Sequence, residues 1–75
     1  KGHRYALELK VVDGRRGPEK VEAEGLQQLA EYLDRLGLTE GYLVLFDQRP
    51  GASWEERIFD RAVEHGRKRV TVIGA

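Results

Sequence analysis

Ala6-Leu7-Glu8-Leu9-Lys10-Val11-Val12 is the stretch on which the reading of this chain turns. It is β-prone and mostly apolar, yet it carries an acid and a base two residues apart. In an extended chain residues i and i+2 point to one face, about 7 Å apart. Glu8 and Lys10 therefore leave one face of a sheet side by side. Charges in an apolar strand cost free energy unless they are solvated, paired or bound to an ion. Residues 4–12 as a whole are apolar on both faces, the pattern of a central strand covered on both sides.

Working outward, Asp13-Gly14 ends this strand and Gly14-Arg15-Arg16-Gly17-Pro18 reads as a loop. Pro18 suits the first turn of a helix, and Glu19, Glu22 and Glu24 are favourable toward its N-terminus. From 19 to 36 the apolar residues fall at helical spacing: Val21, Leu29, Tyr32, Leu33 and Leu36, with Leu26 and Ala30 flanking. Gly37 is a natural residue to close the helix, and Leu38 suits the apolar contact that follows. Gly25 costs a helix interior about 1 kcal/mol relative to Ala, so it marks a kink or a close approach to the sheet. Gly41-Tyr42-Leu43-Val44-Leu45-Phe46-Asp47 is a second buried strand, followed by a turn at Pro50-Gly51. Strand, helix, strand in this order predicts parallel strands joined by a right-handed crossover.

The tail has two readings. Ser53-Trp54-Glu55-Glu56 has capping-box form, and Trp54, Ile58, Phe59, Ala62 and Val63 fit a helical stripe. Against this, Glu64-His65-Gly66-Arg67 reads as a turn before the strand Arg69-Val70-Thr71-Val72-Ile73, which makes 57–63 one arm of a hairpin.

Composition narrows the function classes. Seventy-five residues form one domain at most. Without cysteine there is neither a disulfide framework nor a thiolate metal site, and two histidines, His3 and His65, are too scattered for a histidine centre. No apolar run reaches the roughly 20 residues that span a bilayer; the chain reads as soluble, cytoplasmic and not membrane-associated. Thirteen basic and thirteen acidic residues cancel, so there is no bulk footprint for nucleic acid, although Arg15-Arg16 and Arg67-Lys68-Arg69 are local basic clusters. A chain that begins with Lys and has no methionine is expected to be a domain of a longer protein.

Gln28 and Tyr32 lie one helical turn apart and share a face with Leu29 and Leu36, the face expected to lie on the sheet that carries Glu8 and Lys10. Gln28 is then a polar group aimed near the interior and in need of a partner. Glu8-Leu9-Lys10 on a strand, followed by Gln28-Leu29-Ala30-Glu31-Tyr32 on the next helix, resembles the PD-(D/E)XK nuclease superfamily. The second element resembles the Q-x-x-x-Y motif of its RecB-like branch. The wider run from Gly25 to Leu33, followed by Gly41 to Asp47, resembles the nuclease-like domain at the C-terminus of prokaryotic AAA-type ATPases.

The resemblance implies a partial restriction-endonuclease-like α/β fold: a strand-helix-strand crossover, then a C-terminal hairpin, in one mixed sheet. It implies Mg²⁺- or Mn²⁺-dependent phosphodiester hydrolysis, with nucleic acid, DNA first, as the partner of the parent protein. Glu8 and the Leu9 backbone carbonyl would ligate the metal, Lys10 would orient the attacking water or stabilise developing charge, and Gln28 and Tyr32 would support substrate or Lys10. The family also carries an aspartate on the preceding strand, and nothing before Glu8 is acidic. Either that aspartate lies upstream in the parent protein, or this is an inactive nuclease-fold module used for binding, regulation or oligomerisation. The resemblance further implies that a helix and two strands of the family fold lie outside this chain, and that a homodimer or strand exchange would cover the open edges.

Plainer readings stand beside these. Glu8 and Lys10 suit a salt-bridged pair on an exposed sheet face, Asp47 and His65 suit turns, and Trp54 suits a core or interface anchor.

Overall fold

A computed structural model describes residues 4–75. The elements in chain order are β1 (Ala6–Val12), α1 (Pro18–Leu36), β2 (Glu40–Asp47), α2 (Trp54–Arg57), β3 (Phe59–His65) and β4 (Lys68–Gly74). The four strands form one mixed sheet in the order β1-β2-β4-β3. β1, β2 and β4 are parallel neighbours, and β3 runs antiparallel to β4. The expected class is present: a small α/β unit with one mixed sheet, one main helix and a C-terminal hairpin.

Local chemistry explains the ends of α1. Pro18 occupies its first turn, where its missing N–H costs nothing. At the other end Gly37 adopts φ 70°, its N–H donates to the Asp34 carbonyl, and the Leu38 N–H reaches back 2.9 Å to the Leu33 carbonyl. This is a Schellman close, and it seats Leu38 against the core as expected.

α1 packs chiefly over β1 and β2. Val21, Gly25, Leu26, Leu29 and Leu33 are its buried residues. The stripe is thus rotated from the one read in the sequence: Leu26 is core rather than flank, and Tyr32 is exposed. Beneath the helix lie Ala6 and Val12 of β1, Leu43 and Leu45 of β2, and Val70 and Val72 of β4, all buried. Gly25 marks a close approach within a continuous helix, not a break. A Cβ built there would stand 2.7 Å from Leu43 Cδ1 and 3.1 Å from Lys10 Cγ.

Two expectations are corrected. β1 is an edge strand rather than a central one, and only its helix side is covered. Leu7 and Leu9 on the other side are 61% and 51% exposed, and Val11 is also exposed. The reason is topological: β4 takes the far side of β2, and α1 covers one face only. Trp54 is no core anchor but 72% exposed, at the first position of α2.

The tail resolves into both of its signals in sequence. The capping box forms, with the Glu56 N–H donating to the Ser53 hydroxyl and the Ser53 N–H donating to the Glu56 carboxylate, but the helix lasts only four residues. A hairpin follows, turning at Gly66-Arg67 between the paired residues His65 and Lys68. Gly66 has φ 64° and no non-glycine residue has positive φ among the described residues, the signature of a type II′ turn. His65 borders this turn, as expected.

Candidate functional site

Glu8 and Lys10 project from β1 toward α1, in register with Leu43 and Leu45 of β2, and both are half-buried. They share one face, as their spacing requires. The Lys10 stem passes Gly25, where the absent side chain leaves room for it, and its Nζ donates to Gln28 Oε1 at 3.0 Å. The strand motif and the helix motif therefore meet. Because α1 returns antiparallel to β1, Tyr32 follows Gln28 by one turn in the direction of Glu8. Among the described residues Tyr32 makes no hydrogen bond, and its ring is 46% exposed. Gln28 also differs from expectation: it lies on the exposed flank of α1 rather than near the interior. With β1 at the sheet edge, the part of α1 above it overhangs the rim.

The salt-bridged pair suggested by spacing is not formed. No ion pair joins Glu8 to Lys10 among the described residues, where Glu8 has neither a hydrogen-bond nor an ion-pair partner. The direction of the Leu9 carbonyl follows from the ladder. The Val12 carbonyl accepts from the Gln48 N–H, so Val12 directs its backbone polar groups toward β2. Backbone direction alternates along a strand, so Ala6, Glu8 and Lys10 also face β2, while Leu7, Leu9 and Val11 face the open edge. Among the described residues no strand pairs with the Leu9 carbonyl.

The metal-donor chemistry can be judged from this. A half-buried carboxylate without a partner and a nearby edge carbonyl are hard oxygen donors of the kind Mg²⁺ takes. Among the described residues no group of three or more His, Cys, Asp or Glu could hold a metal. The donors fit a Mg²⁺ ion that keeps its remaining positions for water and substrate phosphate, which is the common arrangement for this ion.

A second cluster lies at the carboxyl ends of β1 and β2, beside the start of α1. Val12, Glu22, Asp47, Arg49, Phe59 and Arg61 line a cleft there. The Asp47 side chain, 6% exposed, accepts from the Arg49 Nε at 2.9 Å, from Nη2 at 2.6 Å and from the Arg49 N–H at 3.1 Å. Asp47 is thus the turn residue expected of it, reinforced by a bidentate ion pair. Arg61 makes a second bidentate pair with Glu22, joining β3 to α1. Sequence reasoning missed both pairs. Asp47 and Arg49 lie two residues apart at a turn and were open to discovery; Glu22 and Arg61 are far apart in the chain and were not. Each of these cations is matched by a carboxylate, as is Arg16 by Glu24. Lys68, in the other basic cluster, stands 3.5 Å from Asp34.

The side-chain hydrogen bonds from Arg49 hold the Asp47 carboxyl down at about 2, against an ordinary value of 3.8, with burial opposing and the Arg49 N–H assisting. The Glu56 carboxyl is lowered too, first by the Ser53 N–H. Between its folded and unfolded values Asp47 binds more proton in the unfolded chain, so stability rises with pH there. Its contribution is complete above the ordinary value and is lost as pH falls through about 2. Thermal unfolding followed between pH 5 and pH 2 should show this loss. Asp47→Asn should flatten the dependence by up to about one proton.

Family models, curated proteins and solved structures were compared with the chain, and none matches. No helix among the described residues is long and apolar enough to cross a membrane.

Proposed function

We propose that this chain carries the Glu-x-Lys part of a metal-dependent phosphodiester hydrolase, a nuclease-like domain of the PD-(D/E)XK kind with DNA as its substrate. The observation that carries this reading is the 3.0 Å hydrogen bond from Lys10 to Gln28, which joins two motifs 18 residues apart. The crossover lays α1 over β1, and this bond brings one residue of each motif into direct contact. A bound divalent cation would supply an activated water and neutralise charge on the phosphate. Glu8 and the Leu9 carbonyl would hold that ion. Gln28 Oε1 accepts from the Lys10 ammonium and fixes it beside the sheet edge, where it would stabilise negative charge developing on a phosphate oxygen. Tyr32 lines the same rim of α1 and would contact substrate.

A second reading is a nuclease-fold module that binds or regulates without hydrolysis, for example beside an ATPase. Its observation is that the Lys10 ammonium is already engaged by Gln28, so that Lys10 serves as a structural tie from β1 to α1.

Calorimetric titration with Mn²⁺ separates the two readings. Under the first, Glu8→Ala weakens binding by about tenfold or more, while Lys10→Ala leaves Mn²⁺ affinity nearly unchanged and removes cleavage of DNA. Equal Mn²⁺ affinity in the wild type and Glu8→Ala would sink the metal assignment and leave the module.

A further inference from the structure

We infer that two copies of this chain pair through β1, antiparallel about a two-fold axis at Leu9, joining two four-stranded sheets into one. Among the described residues β1 ends the sheet, and the outward N–H and C=O groups of Leu7, Leu9 and Val11 form an edge that no described strand pairs. Such an edge is a template for another strand.

The sequence of this edge complements itself. With Leu9 opposite Leu9 of the second copy, Glu8 falls opposite Lys10, Leu7 opposite Val11, and Ala6 opposite Val12. The outward-facing residues Leu7, Leu9 and Val11 then form the hydrogen-bonded pairs. Glu8 and Lys10 fall in the non-hydrogen-bonded pairs, whose Cα atoms stand about 4.5 Å apart with their side chains closest. Both charges lie on the helix side, so the two ion pairs form on one face, while the exposed rows of Leu7, Leu9 and Val11 run together on the other. Shifting the register by two residues sets Glu8 against Glu8 in one direction, and in the other sets Lys10 against Lys10 with Glu8 opposite Val12. The charges therefore select this alignment.

Three further features agree. Glu8 has no partner among the described residues, and the second copy's Lys10 would supply one. The Lys10 ammonium has three donors and spends one on Gln28. The formal net charge is zero, so no overall repulsion opposes two copies. The inference stands apart from the metal reading, and the two occupancies exclude each other, because pairing consumes the Leu9 carbonyl and the Glu8 carboxylate.

Sedimentation equilibrium, run from about 10 μM to about 1 mM to bracket a small interface, tests this with a charge swap. The wild type should approach twice its 8.5 kDa mass. Glu8→Lys and Lys10→Glu should each weaken self-association about tenfold, because like charges then oppose each other twice across the axis. An equimolar mixture of the two should restore the dimer, since each acid again meets a base. In the wild type the Leu9 N–H should exchange more slowly as concentration rises, a readout that needs no variant. A monomer throughout this range, a concentration-independent Leu9 N–H, undiminished association of either single variant, or a mixture no better than its components would each overturn the proposal.

Discussion

Replacing Leu43 by alanine is expected to destabilise the fold by about 2–5 kcal/mol. Leu43 is wholly buried at the centre of the sheet, and its methyl groups fill the gap left by Gly25 on α1. A chain of this length has roughly 4–11 kcal/mol of stability in all, so the change removes a large share of it. Melting should fall by at least about 8 °C, at 4–8 °C per kcal/mol. The cavity lies beside the Lys10 stem, so the contact between Lys10 and Gln28 should loosen with it. A second substitution makes the prediction sharper. Gly25→Ala in the wild type crowds Leu43 and Lys10, whereas in Leu43→Ala the new methyl enters the space just emptied and gains helix propensity of about 1 kcal/mol. The double variant should therefore be more stable than Leu43→Ala alone. Equal effects of Gly25→Ala in both backgrounds, read from denaturant midpoints, would show that helix and sheet do not approach as described.

Gly74→Ala is expected to be nearly as damaging, by about 1–3 kcal/mol, although it adds one methyl at the end of a strand. Gly74 pairs with Phe59 across the hairpin. A Cβ there would overlap both the Arg57 carbonyl oxygen and the Phe59 ring. A ring can turn aside, but the Arg57 carbonyl belongs to the last residue of α2 and moves only if the start of β3 moves with it. Phe59→Ala should therefore fail to rescue Gly74→Ala. Hydrogen exchange should locate the damage where β3 and β4 first pair, with the β1–β2 ladder retained. Full recovery in the double variant would show that the ring alone was the obstacle.

The candidate site was legible because its parts obey local rules. A two-residue spacing places Glu8 and Lys10 on one face of any strand, and a four-residue spacing places Gln28 and Tyr32 on one face of any helix. A helix that follows a strand and precedes a parallel one must lie back across the sheet, so a meeting of the two motifs could be expected. Which members meet could not: Lys10 reaches Gln28, while Tyr32 points out and Glu8 stays unpartnered. That depends on the rotation of α1 about its own axis. The rotation is set by how Val21, Leu26, Leu29 and Leu33 pack on β1 and β2, and by the close approach at Gly25. The Arg61–Glu22 pair was hidden for a related reason, since it exists only because β3 is brought to the side of α1 by pairing with β4.

Where the elements begin and end is a matter of local sequence. Pro18, the Gly37-Leu38 close, the Ser53-Glu56 capping box and the turn at Gly66 act through hydrogen bonds and torsions within a few residues, so their outcome is written locally. The same is true of the shared face of Glu8 and Lys10. Long-range packing, in contrast, makes β1 an edge, turns the helical stripe from Trp54 to Val63 into a strand, and leaves Leu7, Leu9 and Val11 exposed. An apolar strand reads alike whether one face or both are covered. Strand order follows from pairings between residues distant in the chain, here β4 taking the far side of β2, and no local pattern in β1 records it.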